Sequence, residues 1–300
     1  MIKKLCGWFG VIISIGIASL WSYWGIVENF HEGWYSISLL ENIFIMLIQY
    51  LSIPIIIVVF NLIAIKWNRV GGIVFYIAAV ALAFFFRNGS FQTIGLLIVI
   101  PLLIIGTLYF FGKPEPKKLA YLLMIFVPLV IMVMFGVPNL VRVNQRVNDN
   151  NFDERIIETE DYSLVWAPHG PGWPWKGGLT WEQAKDYCSR LSEDGKTLLE
   201  EPVNIWRLPT VEECVQSSML HNELSGGEWD EEKNIATYKL TPDKETPLWN
   251  PNKIIIYYWT ANEYDEESAY IYVYNGGIWT RSKSSKYGYL AYRAVKDLKE

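Results

Sequence analysis

Three kinds of residue in this chain can do chemistry: a few histidines and carboxylates of the types that ligate metals, two cysteines in the second half, and many aromatic rings. The sequence holds 3 His and 3 Cys against 14 Trp and 18 Tyr, so ring stacking is far better supplied than metal ligation or thiol chemistry. Glu28, His31 and Glu32 approach the zinc-protease pattern, in which two histidines one helical turn apart face one ion. Tyr35 stands where the second histidine belongs, so the stretch reads as an interfacial loop with Trp34 and Tyr35 at headgroup level. His169 is a lone histidine and reads as a surface or hydrogen-bonding group. Two acidic triplets, Asp230-Glu231-Glu232 and Asp265-Glu266-Glu267, offer the oxygens that calcium takes, but they read as solvated turns. Calcium therefore has no motif behind it, and no cofactor is expected. No Ser/His/Asp set or carboxylate pair stands out, which leaves catalytic residues unassigned.

The aromatic residues are better placed. Residues 269–274 alternate strictly, with Ala269, Ile271 and Val273 on one side and Tyr270, Tyr272 and Tyr274 on the other, as in a strand. Asn275-Gly276-Gly277 supplies the positive φ angles of a tight hairpin, and Trp279 follows on the returning strand. Trp259 lies in the apolar run 254–260, and Trp173 and Trp175 lie in a Pro/Gly-rich loop. Either the tyrosine face packs beneath a long loop as a second core, or Trp173, Trp175, Trp259, Tyr270, Tyr272, Tyr274 and Trp279 form an aromatic platform for a ligand.

The elements that position these rings are legible from caps and periodicity. Thr180 and Gln183 form a capping box, and Trp181, Ala184, Cys188 and Leu191 then share one helical face up to Gly195. Thr210 and Glu213 form a second box after Pro209, opening a short helix that buries Val211, Cys214 and Val215. Strands are expected near 164–166, 254–260, 269–274, 278–280 and 287–295, with an irregular loop over 220–251. This half is α+β.

The first half is different in kind. Residues 1–141 carry 8 Lys+Arg and 4 Asp+Glu, whereas residues 142–300 carry 18 and 27, an acidic balance that argues against nucleic acid as a partner. Uncharged apolar runs at about 5–27, 43–65, 70–86, 91–111 and 119–140 predict five transmembrane helices, with a hairpin at Arg87-Asn88-Gly89-Ser90 and a linker at 142–160. Lys3, Lys4, Lys66, Arg69, Lys113, Lys117 and Lys118 fall on one side if the runs cross in turn. The positive-inside rule then makes this a multi-pass plasma-membrane protein with a cytoplasmic N-terminus, and five crossings put residues 161–300 outside the cytoplasm. The spans hold no carboxylate or histidine, so anchoring in the lipid bilayer is the simplest role.

Four motifs in the second half add a resemblance. TWEQAKDYCSRL, WRLPTVEE, YYWTANEY and YLAYRAVK occur in an order that resembles the Lcl C-terminal domain family, named after a bacterial collagen-like adhesin. That family is similar to a branch of the C-type-lectin-like fold shared with the formylglycine-generating enzymes. The resemblance covers roughly the last 140 residues. It implies a lectin-like module binding a glycan or cell-surface polymer; the alternatives are a membrane enzyme of the formylglycine-generating type, or a sensor or assembly protein with a protein ligand. The enzyme relatives use a cysteine pair near the C-terminus, where this chain has Tyr292, Arg293 and Ala294. Many lectin-like domains also join the first helix to the last strand by a disulfide. With Ala294 in the last strand, Cys188 is either joined to Cys214 or both are buried thiols.

Overall fold

The computed structural model describes residues 1–34, 36–87, 92–149, 153–159, 161–168 and 178–298. Contacts divide the chain into two compact units, Met1–His31 with Ser38–Val141 and Glu32–Ile37 with Arg142–Glu300. The first unit is built from α1 (Ile2–Glu32), α2 (Leu39–Ile45), α3 (Ser52–Lys66), α4 (Asn68–Phe85), α5 (Gln92–Phe111) and α6 (Lys117–Asn144). Three of these, α1, α4 and α6, are long and apolar enough to cross a membrane. A fourth span results if α2, the wide π turn at Met46–Tyr50 and α3 are counted together, although that pair is bent by 65°. The apolar part of α5, Gly95–Phe111, is shorter. Asn88, Gly89 and Ser90 of the expected hairpin, and Tyr35, lie outside the described residues.

The bend divides the run expected at 43–65. Pro54 has no N–H, and its ring would collide with the carbonyl four residues back, that of Tyr50. The helix breaks at Leu51, and the Tyr50 carbonyl packs against Gly25 of α1, where a Cβ would overlap the oxygen. α4 and α5 also approach backbone to backbone: a Cβ on Gly72 would lie 2.8 Å from the Gly106 carbonyl. Inside this unit Asn61 is fully buried and its amide is satisfied, donating to the Ile57 carbonyl at 2.7 Å and accepting the Tyr109 hydroxyl at 2.8 Å. At one end of the unit several helix termini meet. The Lys113 N–H donates to the Lys3 carbonyl at 2.8 Å, Trp8 Nε1 to the Glu115 carbonyl at 2.9 Å, and the Lys117 ammonium to the Lys66 carbonyl at 2.9 Å.

The second unit is a mixed helix and sheet region. In chain order it runs β1 (Arg155–Glu158), β2 (Ser163–Trp166), α7 (Trp181–Ser189) and α8 (Val211–Gln216). Two small hairpins follow, β3 (Met219–Leu220) with β4 (Glu223–Leu224) and β5 (Gly227–Asp230) with β6 (Ile235–Tyr238). The last strands are β7 (Tyr257–Glu263), β8 (Ser268–Val273), β9 (Ile278–Ser282), β10 (Leu290–Ala291) and β11 (Val295–Asp297). The main sheet has the order β10-β7-β8-β9, with β10 parallel to β7 and the other pairs antiparallel; β1-β2-β11 forms a second sheet. Both expected capping boxes are present, and Glu213 also holds both terminal nitrogens of Arg207, at 2.8 and 2.7 Å.

Both faces of the main sheet are covered. Trp259, Ala269 and Ile271 point into one core with Trp181, Ala184 and Cys188 of α7, while Tyr258, Tyr272 and Tyr274 point into another with Cys214 and Trp249. Successive β7 residues thus enter opposite cores, as the strand period of two requires.

Several expectations are corrected. α7 stops at Ser189, not Gly195, because Leu191 pairs with Leu198 in a short bridge. The expected strand at 287–295 is two strands in different sheets, β10 and β11. The 142–160 linker contains β1, and its first residues are pinned: Arg146 donates to Asp243 at 2.7 Å and the Val147 N–H to Glu245 at 2.8 Å. The 220–251 loop contains two hairpins and a buried stretch, residues 243–250. Of the two alternatives left open for Cys188 and Cys214, the structure has the two buried thiols, free and in different cores. Burial pushes both thiols up, keeping them protonated. N-ethylmaleimide applied without reductant is expected to spare both in the native protein and to label both after denaturation; a bridged pair would take no label in either state.

Candidate ligand-binding surface

The seven aromatic residues singled out in the sequence fall into three groups. Trp173 and Trp175, with His169, lie outside the described residues. Trp259, Tyr272 and Tyr274 are core residues with at most 1% exposure, which removes them from any ligand surface. Trp259 Nε1 donates to the Leu179 carbonyl at 2.8 Å, fastening the sheet to the stretch before α7. Tyr272 shares a 2.5 Å hydrogen bond with Ser218, and burial pushes its hydroxyl well above the ordinary range. Trp249 covers this face, stacked on Tyr258 with centroids 3.9 Å apart and touching Tyr272 and Tyr274 with its other edges.

Tyr270 and Trp279 remain accessible. β9 is an edge strand, pairing with β8 and with no other described strand, and Trp279 on it is 43% exposed. Trp279 is opposite Ile271, on the α7 face, where its ring meets Tyr257 at 5.6 Å. Tyr257 meets Tyr289 at 5.4 Å, and Tyr289 stacks on Tyr287 at 5.4 Å with planes 3° apart. Tyr287 and Tyr289 are themselves 44% and 39% exposed. The result is a continuous row of four rings along the rim of the sheet.

Tyr270 belongs to the opposite face. It is half-buried between Trp229 and Tyr264, with its hydroxyl donating to Asn234. Tyr270, Tyr264 and Asn234, with Ile278, Trp279, Thr280 and Arg281, line a concavity of about 380 Å³ beside β9. The Arg281 guanidinium lies 5.6 Å from the Trp279 ring centre, so this tryptophan borders both the row and the concavity.

The acidic triplets are occupied by lysines and backbone. Asp230 pairs with Lys233, whose ammonium lowers its pKa, and Asp265 accepts the N–H groups of Glu267 and Ser268 at 2.9 and 2.7 Å. Lys283 pairs with Glu263 at 2.6 Å and also donates to the carbonyls of Asp265 and Glu266. Among the described residues no group of three or more His, Cys, Asp or Glu is arranged to hold a metal ion. The residues that sequence reading missed are Tyr257, Tyr287 and Tyr289. Tyr257 and Tyr289 sit in motifs that mark strands and Tyr287 in the strand expected at 287–295; the available clue was two tyrosines flanking Gly288, spaced to fall on one side of an extended segment.

The division into buried and rim aromatics has a direct consequence. Trp249→Ala is expected to destabilise the protein by about 3–5 kcal/mol, as for other large core truncations, while Trp279→Ala stays within about 1 kcal/mol. Denaturant unfolding followed by near-ultraviolet circular dichroism measures both, and equal losses would place Trp279 in the core. Set against protein-family models, curated proteins and solved structures, the chain finds no match in any of the three.

Proposed function

We propose that the chain is a membrane-anchored binding protein whose C-terminal unit presents the Trp279-Tyr257-Tyr289-Tyr287 row to a glycan or cell-surface polymer. The row itself carries the reading. Aromatic rings held rigidly at a rim give large contact area for little ordering entropy, and the C–H faces of sugars stack on them. Four rings with centroid spacings of 5.4–5.6 Å suit a ligand with repeating units better than a single small molecule. The lectin-like fold assignment belongs to the same proposal, supported by its motifs forming two capped helices and sheet strands in the expected order. Protein ligands are the second reading, favoured by the edge of β9, whose outward backbone groups could take an added strand.

Five crossings and an extracytoplasmic C-terminal unit complete the proposal. What supports them is the meeting of the α1 start, the α3 end, the α5–α6 connection and the basic residues at one end of the first unit. A periplasmic-type reporter fused after Glu300 is expected to be active, and activity confined to a cytoplasmic reporter would reject this orientation.

The ligand is tested with the full chain in nanodiscs on a glycan array and on isolated cell-surface polysaccharide. Binding is expected, and Trp279→Ala with Tyr289→Ala should weaken it by about tenfold or more, since each stacked ring contributes about 0.5–1.5 kcal/mol. Binding unchanged in the double variant sinks the aromatic-row assignment; binding to peptides alone favours the second reading.

A further inference from the structure

A concavity of about 340 Å³ opens at one end of the first unit, where the termini of α1, α3, α4 and α5 converge. Its wall includes Lys3, Lys66, Arg69 and Lys113, together with Trp67 and Asn68. Four cations around one small space repel each other unless an anion joins them. Among the described residues no carboxylate pairs with Lys3, Lys66 or Arg69. Glu115, the acid of this end, is engaged by Lys4 at 3.0 Å and Lys113 at 2.8 Å, and those ammonium groups hold its carboxyl at about 2.

Two further observations point to an anionic lipid. α4 starts here, and Trp67 at its N-cap gives no side-chain cap, so the first-turn N–H groups of an 18-residue helix face this end without one. The apolar side of the space is Phe110 and Phe111 at the end of α5, and the Trp67 indole lies under the Lys66 ammonium at 4.2 Å. An indole beside cations at the end of apolar helices is the setting of a lipid headgroup, with acyl chains continuing along the helices.

The geometry points to a binding site for the phosphate of an anionic lipid headgroup, held by Lys3, Lys66, Arg69 and the start of α4. This goes beyond the anchoring role, because general immersion in a bilayer needs no headgroup selectivity.

The test titrates purified full-length protein with dioleoyl phosphatidylglycerol and, separately, dioleoyl phosphatidylcholine, counting bound lipids by native mass spectrometry. Phosphatidylglycerol is expected to bind about tenfold more tightly. Lys66→Gln with Arg69→Gln should abolish that preference, while Arg87→Gln with Lys118→Gln, the same charge change outside the concavity, should preserve it. A third arm adds inorganic phosphate. No preference in the wild type, or equal loss in both double variants, overturns the site. Phosphate binding that depends on Lys66 and Arg69 without any phosphatidylglycerol preference overturns the lipid as its source and leaves a soluble phosphate site.

Discussion

The second unit depends on covering both faces of one four-stranded sheet. One cover is a helix, α7, and needs little explanation. The other is an irregular stretch, residues 243–250, which contributes Trp249 as a lid on Tyr258. An irregular lid has no internal ladder of hydrogen bonds, so its backbone carbonyls must find donors elsewhere or be buried at a cost. Arg293 supplies them: its guanidinium, buried to 1% exposure, donates to the Pro247 carbonyl at 2.9 Å and to the Leu248 carbonyl at 3.0 Å. The Tyr258 hydroxyl adds a second donor to Leu248 at 3.0 Å. Burial depresses the Arg293 pKa, yet a guanidinium stays protonated at any pH a protein meets, so the lid is fixed by a permanent charge.

With most of both faces occupied among the described residues, this sheet is open to a partner chiefly at its rim. That is why the accessible aromatics are on edge strand β9 and on the turn before β10, rather than across the tyrosine-bearing strand β8. β8 shows the contrast within six residues: Tyr272 is sealed under Trp249, while Tyr270, two residues earlier, is only half-covered by Trp229 and Tyr264.

What the sequence revealed was what local chemistry decides. Thr180 with Gln183 and Thr210 with Glu213 stand at fixed spacing, and the caps form because each partner is within one turn of the other. The apolar runs were equally plain, since a bilayer core rewards composition over about 20 residues. Long-range effects were not legible. Tyr287 to Val295 reads as one strand, but Tyr292, Arg293 and Ala294 are each needed in a core, and the chain leaves one sheet at Ala291 to join another at Val295. Alternation placed Tyr270, Tyr272 and Tyr274 together, but Val273, expected with Ala269 and Ile271, packs in the core of Tyr272 and Tyr274, and nothing local says which tyrosine a distant Trp249 will cover. Charged composition also misled at Asp243, Lys244 and Glu245, which read as loop residues and are buried.

Those three charges settle where the second unit begins. Buried ions persist only when paired and hydrogen-bonded. Asp243 is paired by Arg146 at 2.7 Å, with Arg142 at 3.9 Å. Glu245 accepts the N–H of Val147 and that of His221, both at 2.8 Å, and the Lys244 ammonium is held by the Lys253 carbonyl. Two of the three therefore rely on residues 142–147, the stretch that composition alone assigns to a linker. A fragment starting at residue 150 would keep Asp243 and Glu245 in the interior while discarding Arg146 and Val147. Removing one partner of a buried pair costs about 3–5 kcal/mol, a large share of the stability of a domain this size. The residues that leave α6 are thus part of the fold they lead into, and the second unit is not separable at the point where its sequence turns polar.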